Sequence, residues 1–79
     1  MTRNTELAEA VRRSVERYFK DMDGEKPTAI YDMVLRNVEK PLIETVLHKA
    51  AGNQSQAAAM LGIDRNTLRK KIQQLRIKA

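Results

Sequence analysis

The apolar residues of this chain recur at intervals of three and four, a period that predicts helices rather than strands. A first amphipathic helix is predicted from about Thr5, and Asp23-Gly24 followed by Pro27 marks its end. Residues 1–4 are expected to form a frayed end. The apolar stripe of this helix consists of Leu7, Val11, Val15, Tyr18, Phe19 and Met22.

A second helix is predicted from Thr28, which can serve as its N-cap, to about Ala50. Its apolar positions cover more than one helical face, and a chain with so few helices cannot bury both faces by itself. We therefore expect this helix to pair with a second copy of the chain. The positions expected at that contact are Val34, Val38, Leu42 and Val46.

Pro41 lies inside this second helix, where it removes one backbone donor and crowds the carbonyl four residues earlier. One possibility is that Pro41 separates two shorter helices. However, the apolar period resumes at Leu42 without any turn residue, which favours a single kinked helix.

Residues 53–76 predict two short helices joined by a tight turn, a helix-turn-helix. Asn53 can cap the first of these helices, and Gln56 three positions later can complete a capping box. Gly62 can adopt the left-handed conformation that ends a helix, and Ile63 is expected to fill the turn from the apolar side. Small side chains on the buried face allow close helix crossing; this face holds Ala57, Ala58 and Leu61.

The second helix of the pair is expected to begin after Asp64, a favourable N-cap residue. Its buried stripe is Leu68, Ile72 and Leu75. Its polar positions are Arg65, Asn66, Thr67, Arg69, Lys70 and Gln73. A recognition helix in the major groove uses its first residues for base edges and its flanks for phosphates. An ordinary solvated helix has a similar charge pattern, but the alanines, Gly62 and Ile63 before it favour the helix-turn-helix.

The charge distribution supports a polyanionic partner. Residues 1–52 carry nine basic and nine acidic residues, whereas residues 53–79 carry six basic residues and one acid, Asp64. A basic segment joined to a neutral one is typical of a nucleic-acid-binding end on a scaffold. The basic helix lacks the aromatic anchors of a membrane-surface helix. A helical interaction module whose basic tail meets an acidic protein is the alternative from another class.

Composition makes enzymatic and metal chemistry improbable for a single domain of 79 residues. The chain has no cysteine, and His48 is its only histidine, so we expect no metal site. The sequence shows no Gly-rich phosphate loop, no Ser/His/Asp set and no carboxylate pair, and so small a chain cannot hold a sheltered cleft, so we expect no cofactor and no catalytic activity. No apolar run is long enough for a membrane span, and the lack of cysteine suits a reducing cytoplasm. Met22, Met33 and Met60 are expected in the core, and Asp32, Glu39 and Glu44 on a solvated helix face.

Two groups of residues resemble a known protein family. The first group is Gly52-Asn53-Gln54, Ala57-Ala58, Leu61-Gly62-Ile63, Arg65 and Thr67-Leu68-Arg69-Lys70-Lys71. It is similar to the C-terminal signature of the bacterial Fis family (factor for inversion stimulation), a signature that also occurs at the C-terminus of activators of the nitrogen-regulation type. The second group resembles the long helices of the intertwined Fis dimer, and it favours Fis over an activator domain. It comprises Val15, Tyr18-Phe19, Gly24, Tyr31, Val34-Leu35, Val38-Glu39 and Pro41-Leu42.

The resemblance implies an all-α fold with four helices per subunit, in one domain over residues 1–79. Residues 5–50 would form the dimerisation helices and residues 53–76 the DNA-binding part. It implies a homodimer in the nucleoid that binds two half-sites of double-stranded DNA around an A/T-rich centre, bends the duplex and regulates transcription. RNA polymerase is a candidate partner. Longer members carry an N-terminal β-hairpin arm that contacts a recombinase; so few residues precede Leu7 here that this contact is not carried over.

Position by position, Arg65 resembles the main base-reading residue of the family. Asn53, Thr67, Arg69 and Lys70 resemble phosphate or groove-edge contacts. The predicted DNA site is completed by Gln54, Ser55, Asp64, Asn66 and Lys71, although Lys71 lies toward the apolar side and a solvated lysine is an equal alternative. Three positions depart from the enteric pattern: Gln56 replaces Arg, Asp64 replaces Asn and Asn66 replaces Gly.

Overall fold

A computed structural model describes the backbone of residues 2–78 and the side chains of residues 5–78. Within this range there are four helices and no strand: α1 (Thr2–Met22), α2 (Ile30–Lys49), α3 (Gln54–Leu61) and α4 (Arg65–Gln74). The predicted all-α fold with four helices is confirmed. The predicted frayed end is wrong for residues 2–4, which are helical because no glycine or proline interrupts them, while Met1 lies outside the described residues.

The chain divides into two compact units, residues 1–34 and residues 35–79. In the first unit, α1 ends where Asp23 and Gly24 both take positive φ values, 50° and 91°, so the predicted helix stop is confirmed. The start of α2 lies one residue later than predicted. Ala29, with φ 56°, accepts a 3.1 Å hydrogen bond from the Met33 N–H and so occupies the N-cap position expected for Thr28.

Helix α2 continues without interruption through Pro41, so the interpretation as one helix is confirmed. Pro41 removes only its own N–H from the helical hydrogen bonds, and no glycine or second proline lies nearby to end the helix. The helix belongs to the first unit up to Val34 and to the second unit from Leu35 onward.

The second unit contains the apolar core of the protein. Helix α2 contributes Ile43 and Leu47 to this core, and α4 contributes Leu68, which is completely buried. The other buried members are Ala50, Ala57, Ala58, Ile72 and Ile77, and the half-buried residues packed against them are Val46, Leu61, Ile63 and Leu75. The predicted faces of both short helices are therefore confirmed. Burial of these side chains from water is the main force holding the three helices together.

Met60 corrects the expectation that the methionines fill the core. Its side chain is 54% exposed, whereas Ala57 and Ala58 on the same helix are buried. At 100° per residue, Met60 lies roughly 110° from the centre of the face formed by Ala57, Ala58 and Leu61, so its side chain extends toward solvent. Met22 and Met33 are half-buried.

Candidate nucleic-acid interface

The turn between α3 and α4 is built by Gly62. This residue has φ 76° and ψ 27°, the left-handed conformation that L side chains rarely adopt. Its N–H donates to the Ala59 carbonyl at 3.2 Å, and the Ile63 N–H donates to the Ala58 carbonyl at 3.0 Å. These two bonds form a Schellman motif, which satisfies the last carbonyls of α3 while reversing the chain. Ile63 packs against the core beneath the turn, as predicted.

The same pair of hydrogen bonds ends α2 and α4, although there the left-handed position is not a glycine. Ala51 has φ 54° after α2, and Arg76 has φ 55° after α4. After α4, the Ile77 N–H donates to the Ile72 carbonyl at 3.0 Å, which brings the buried Ile77 side chain back to the core. The tail that follows α4 is thus anchored to the unit through Ile77.

Asn53 caps α3, but only half of the predicted capping box is present. The Asn53 Oδ1 accepts a 3.0 Å hydrogen bond from the Gln56 N–H. In the other direction, the Asn53 N–H donates to the Ala50 carbonyl at 3.0 Å, so this donor is already used by the turn after α2. The Gln56 side chain therefore does not complete the box and is exposed.

Asp64 caps α4 as predicted. Its backbone is extended (φ −69°, ψ 145°), and its Oδ2 accepts a 2.9 Å hydrogen bond from the Asn66 N–H. Because the carboxylate lies at the positive end of the helix dipole, it stabilises the start of the helix that carries the basic residues.

The outward face of α4 presents the polar residues that the sequence singled out. Leu68 and Ile72 are buried, and this orientation leaves the opposite side of the helix to solvent. A shallow concavity on that side is lined by Asn66, Arg69, Lys70 and Gln73. The predicted site residues exposed on or before α4 are Asp64, Arg65, Asn66, Thr67, Arg69 and Lys70. At the start of α3, Asn53 and Ser55 are also exposed, and Gln54 is half-buried.

Lys71 differs from its neighbours on α4. Its Nζ lies 2.7 Å from the Glu39 Oε2 on α2, and both side chains are half-buried. The expectation that Glu39 lies on a solvated helix face is therefore wrong. Glu39 precedes the buried Ile43 by four residues, which places it on the side of α2 that faces the core. The four-residue spacing from Ile43 could have indicated from sequence that Glu39 faces the core. Its pairing with Lys71, however, depends on how α4 crosses α2.

The predicted dimerisation residues fall on two sides of α2. Val46 packs against the core of its own chain, because it lies three residues after the buried Ile43 and so shares its helical face. Val34 and Val38 are half-buried, and Leu42 is 49% exposed. Leu35, which the prediction did not include, is 36% exposed. The exposed large apolar side chains of α2 are thus Tyr31, which is 75% exposed, Leu35 and Leu42, with Val34 and Val38 beside them.

Two further observations concern other kinds of site. Among the described residues, no group of three or more histidine, cysteine or acidic side chains is arranged to hold a metal ion. No helix in the described part of the chain has both the length and the apolar character needed to span a membrane.

Helices α3 and α4 are joined by a glycine turn, α3 buries two alanines, and α4 carries a polar, basic face. These features define a helix-turn-helix protein. Residues 34–75 match the family described as bacterial regulatory protein, Fis family. A Fis-like DNA-binding protein of Ralstonia nicotianae is 54% identical over 74 residues, which cover 94% of this chain and 95% of that protein. The chain therefore belongs to the Fis family, and the resemblance seen in the sequence is confirmed.

Other relatives agree with this assignment. A Fis-like DNA-binding protein of Neisseria meningitidis serogroup A is 51% identical over 67 residues, 85% of each chain. The DNA-binding protein Fis of Glaesserella parasuis is 46% identical over 66 residues, which cover 84% of this chain and 67% of that protein.

Proposed function

We propose that this protein is a homodimeric DNA-binding and DNA-bending protein of the Fis type, acting in nucleoid organisation and transcription regulation. The observation that carries the proposal is the exposed face of α4, where Arg65, Arg69 and Lys70 project from a helix whose other side is buried. Cations held on a rigid helix suit the phosphate backbone, and the first turn suits base edges. The relatives named as DNA-binding proteins support the same function.

The roles within this surface follow from position. Arg65, in the first turn of α4, would bind a base edge in the major groove, most favourably guanine. Thr67, Arg69 and Lys70 would contact phosphates or the groove edge. Asn53 and Ser55, at the start of α3, would contact a phosphate through the helix N-terminus. Gln54 and Asn66 complete the proposed contacts, and Asp64 primarily caps α4.

The proposal of a homodimer rests on the two apolar sides of α2. Ile43 and Leu47 are buried in the core of the same chain, whereas Leu35 and Leu42 are 36% and 49% exposed. With 3.6 residues per turn, the centres of these two sides lie roughly 110° apart, so the same neighbours cannot cover both. A second copy of α2, contacting Leu35, Val38 and Leu42, would bury the uncovered side. The division into dimerisation helices (5–50) and a DNA-binding part (53–76) within one domain is proposed on this basis.

Bending follows from the placement of two recognition helices in one dimer. Straight B-DNA offers successive major grooves ~34 Å apart. By likeness to Fis, the two α4 helices would be closer than this, so the duplex would have to bend and narrow its central minor groove. Flexible or A/T-rich centres make that deformation easier, although no side chain contacts them. RNA polymerase is proposed as a partner at promoters.

A gel-shift titration at several salt concentrations, combined with sedimentation of the free protein, tests this function. We expect a dimer that binds unrelated duplexes with an affinity falling steeply as salt rises. We also expect tighter binding to A/T-rich than to G/C-rich centres with identical flanks. A monomer, or binding that is insensitive to salt, would overturn the proposal. No binding to duplex DNA, together with capture of an acidic protein, would instead indicate an interaction module.

A further inference from the structure

The ion pair between Lys71 and Glu39 joins the recognition helix to α2. The Lys71 Nζ and the Glu39 Oε2 are 2.7 Å apart, and the side chains are only 32% and 27% exposed. The other ion pair in the described part of the chain, Arg12 with Glu9, joins neighbours on one exposed helix at 2.8 Å. Lys71 is thus a basic residue of α4 whose charge is directed toward the protein, beside two basic residues directed toward solvent, Arg69 and Lys70.

We propose that Glu39 is a positioning residue for DNA recognition: it holds Lys71 against α2, so that Lys71 fixes the rotation of α4 about its own axis and does not bind phosphate. The proposal rests on the DNA-binding function proposed above. It deepens that function by separating a cation that orients the helix from the cations that contact DNA.

The physical argument begins with the apolar contacts of α4. Leu68 and Ile72 bury the helix against the core, but apolar burial is non-directional and resists a small rotation weakly. An ion pair at hydrogen-bonding distance is directional, because it breaks when either atom moves by about an ångström. Lys71 lies at the edge of the buried stripe, away from the line through Leu68 and Ile72. Its bond to Glu39 therefore opposes rotation of the helix.

Rotation of α4 matters for the residues that contact bases. With side chains included, an α-helix has a radius of roughly 5–6 Å, so a rotation of about 20° moves the end of a side chain by about 2 Å. A displacement of this size breaks a hydrogen bond to a base edge, which tolerates only a few tenths of an ångström. Phosphate contacts made by flexible lysine side chains tolerate a displacement of this size. Breaking the ion pair should thus reduce sequence discrimination more than general affinity for DNA.

The test uses the full chain and five altered forms, one of which is a matched control. Lys71→Met keeps the aliphatic stem of the half-buried side chain but loses its charge, and Glu39→Gln keeps the shape of its side chain. The double variant combines the two changes. The exchanged pair, Glu39→Lys with Lys71→Glu, restores opposite charges without altering net charge. Lys70→Met is the matched control, since it removes one exposed cation from the adjacent position.

Two duplexes of equal length serve as probes: one selected in vitro for tight binding to the wild-type chain, and one of random sequence. Lys71→Met should leave the salt dependence on the random duplex unchanged, whereas Lys70→Met should lower its slope by about one unit for each phosphate that is no longer neutralised. Lys71→Met and Glu39→Gln should each reduce the ratio of specific to random affinity by about threefold to tenfold, a range set by the modest strength of an incompletely buried pair. The double variant should show no further reduction.

The exchanged pair separates positioning from charge. A change in overall charge alters specific and random binding in the same ratio, whereas a restored ion pair should return the ratio to within about twofold of wild type. The proposal is overturned if Lys71→Met lowers the salt slope as Lys70→Met does, or if the reductions from Lys71→Met and Glu39→Gln multiply. If the wild-type chain binds neither duplex, the proposed function fails and this proposal fails with it. Normal wild-type binding with an unchanged ratio in Glu39→Gln overturns this proposal alone.

Discussion

Asp64 offers a prediction that separates helix stability from DNA affinity. It is the single acidic residue of residues 53–79 and lies immediately before the helix that would face DNA. Its Oδ2 accepts the Asn66 N–H at 2.9 Å, so the carboxylate stabilises α4. The same negative charge would repel phosphates near the start of that helix. The two effects can be separated, because asparagine caps a helix about as well as aspartate but carries no charge.

The magnitudes follow from these two roles. Removing the cap in Asp64→Ala should cost about 1 kcal/mol, which lowers the Tm of a domain of this size by about 4–8 °C. Asp64→Asn should stay within about 0.5 kcal/mol of wild type. For DNA binding, a carboxylate about 7 Å from a phosphate in water is repelled by about 0.6 kcal/mol. Relief of two such repulsions in a dimer would tighten binding by about sevenfold at low salt, and less at 0.15 M because of screening.

Thermal unfolding followed by circular dichroism measures the first effect, and fluorescence anisotropy with a labelled duplex at several salt concentrations measures the second. The reasoning is refuted if Asp64→Asn weakens DNA binding. That result would mean that the carboxylate accepts a hydrogen bond from a cytosine amino group or orients Arg65, and Asp64 would then belong among the base-contacting residues.

Three further predictions concern the interface, the turns and the recognition helix. Leu42→Asp should unfold the protein rather than release a folded monomer, because the exposed apolar side of α2 would be covered only by the proposed second copy. Sedimentation and circular dichroism would reveal a folded monomer if this is wrong. Arg65→Ala should lose roughly 1–3 kcal/mol of discrimination at one base pair per half-site, whereas Lys70→Ala should weaken binding to all sequences about equally. If both changes reduced specific and non-specific binding to a panel of duplexes in the same ratio, these roles would be contradicted. Ala51 and Gly62 both have positive φ, a conformation that favours glycine. Ala51→Gly should therefore raise the free energy of unfolding by about 0.5–1 kcal/mol, and Gly62→Ala should lower it by about 1–2 kcal/mol. Urea titration measures both changes, and a destabilised Ala51→Gly would refute the reasoning.

The parts of the fold that sequence predicts well are those set by local chemistry. Asp64 caps α4 because a short acceptor side chain there reaches the free N–H groups of the next turn. Gly62 ends α3 because glycine takes a positive φ without strain. The buried faces of both short helices follow from the helical period. These features involve residues within a few positions of one another, so the pattern contains the information needed.

The features that were missed depend on competition or on tertiary contacts. Half of the capping box is absent because the Asn53 N–H is already donated to Ala50, a consequence of how α2 ends. Ile77 was not predicted in the core because it follows the end of α4 and returns only through the turn at Arg76. The partner of Lys71 requires the crossing of α4 over α2, which no local pattern specifies. For the same reason, the sequence could propose candidate DNA-contacting residues by position but could not show that Lys71, unlike the exposed Lys70, is paired with Glu39.

The outward position of Met60 on α3 has a practical consequence. A thioether that is more than half exposed is open to mild peroxide, and its conversion to the sulfoxide adds one oxygen atom to a side chain that lies outside the buried core. Mass spectrometry can compare the extent of Met60 oxidation in the free protein with that in the protein bound to DNA or to another protein. A lower extent in the complex would show that α3 becomes covered there. Met60 thus supplies a built-in chemical footprint of the helix that precedes the recognition helix.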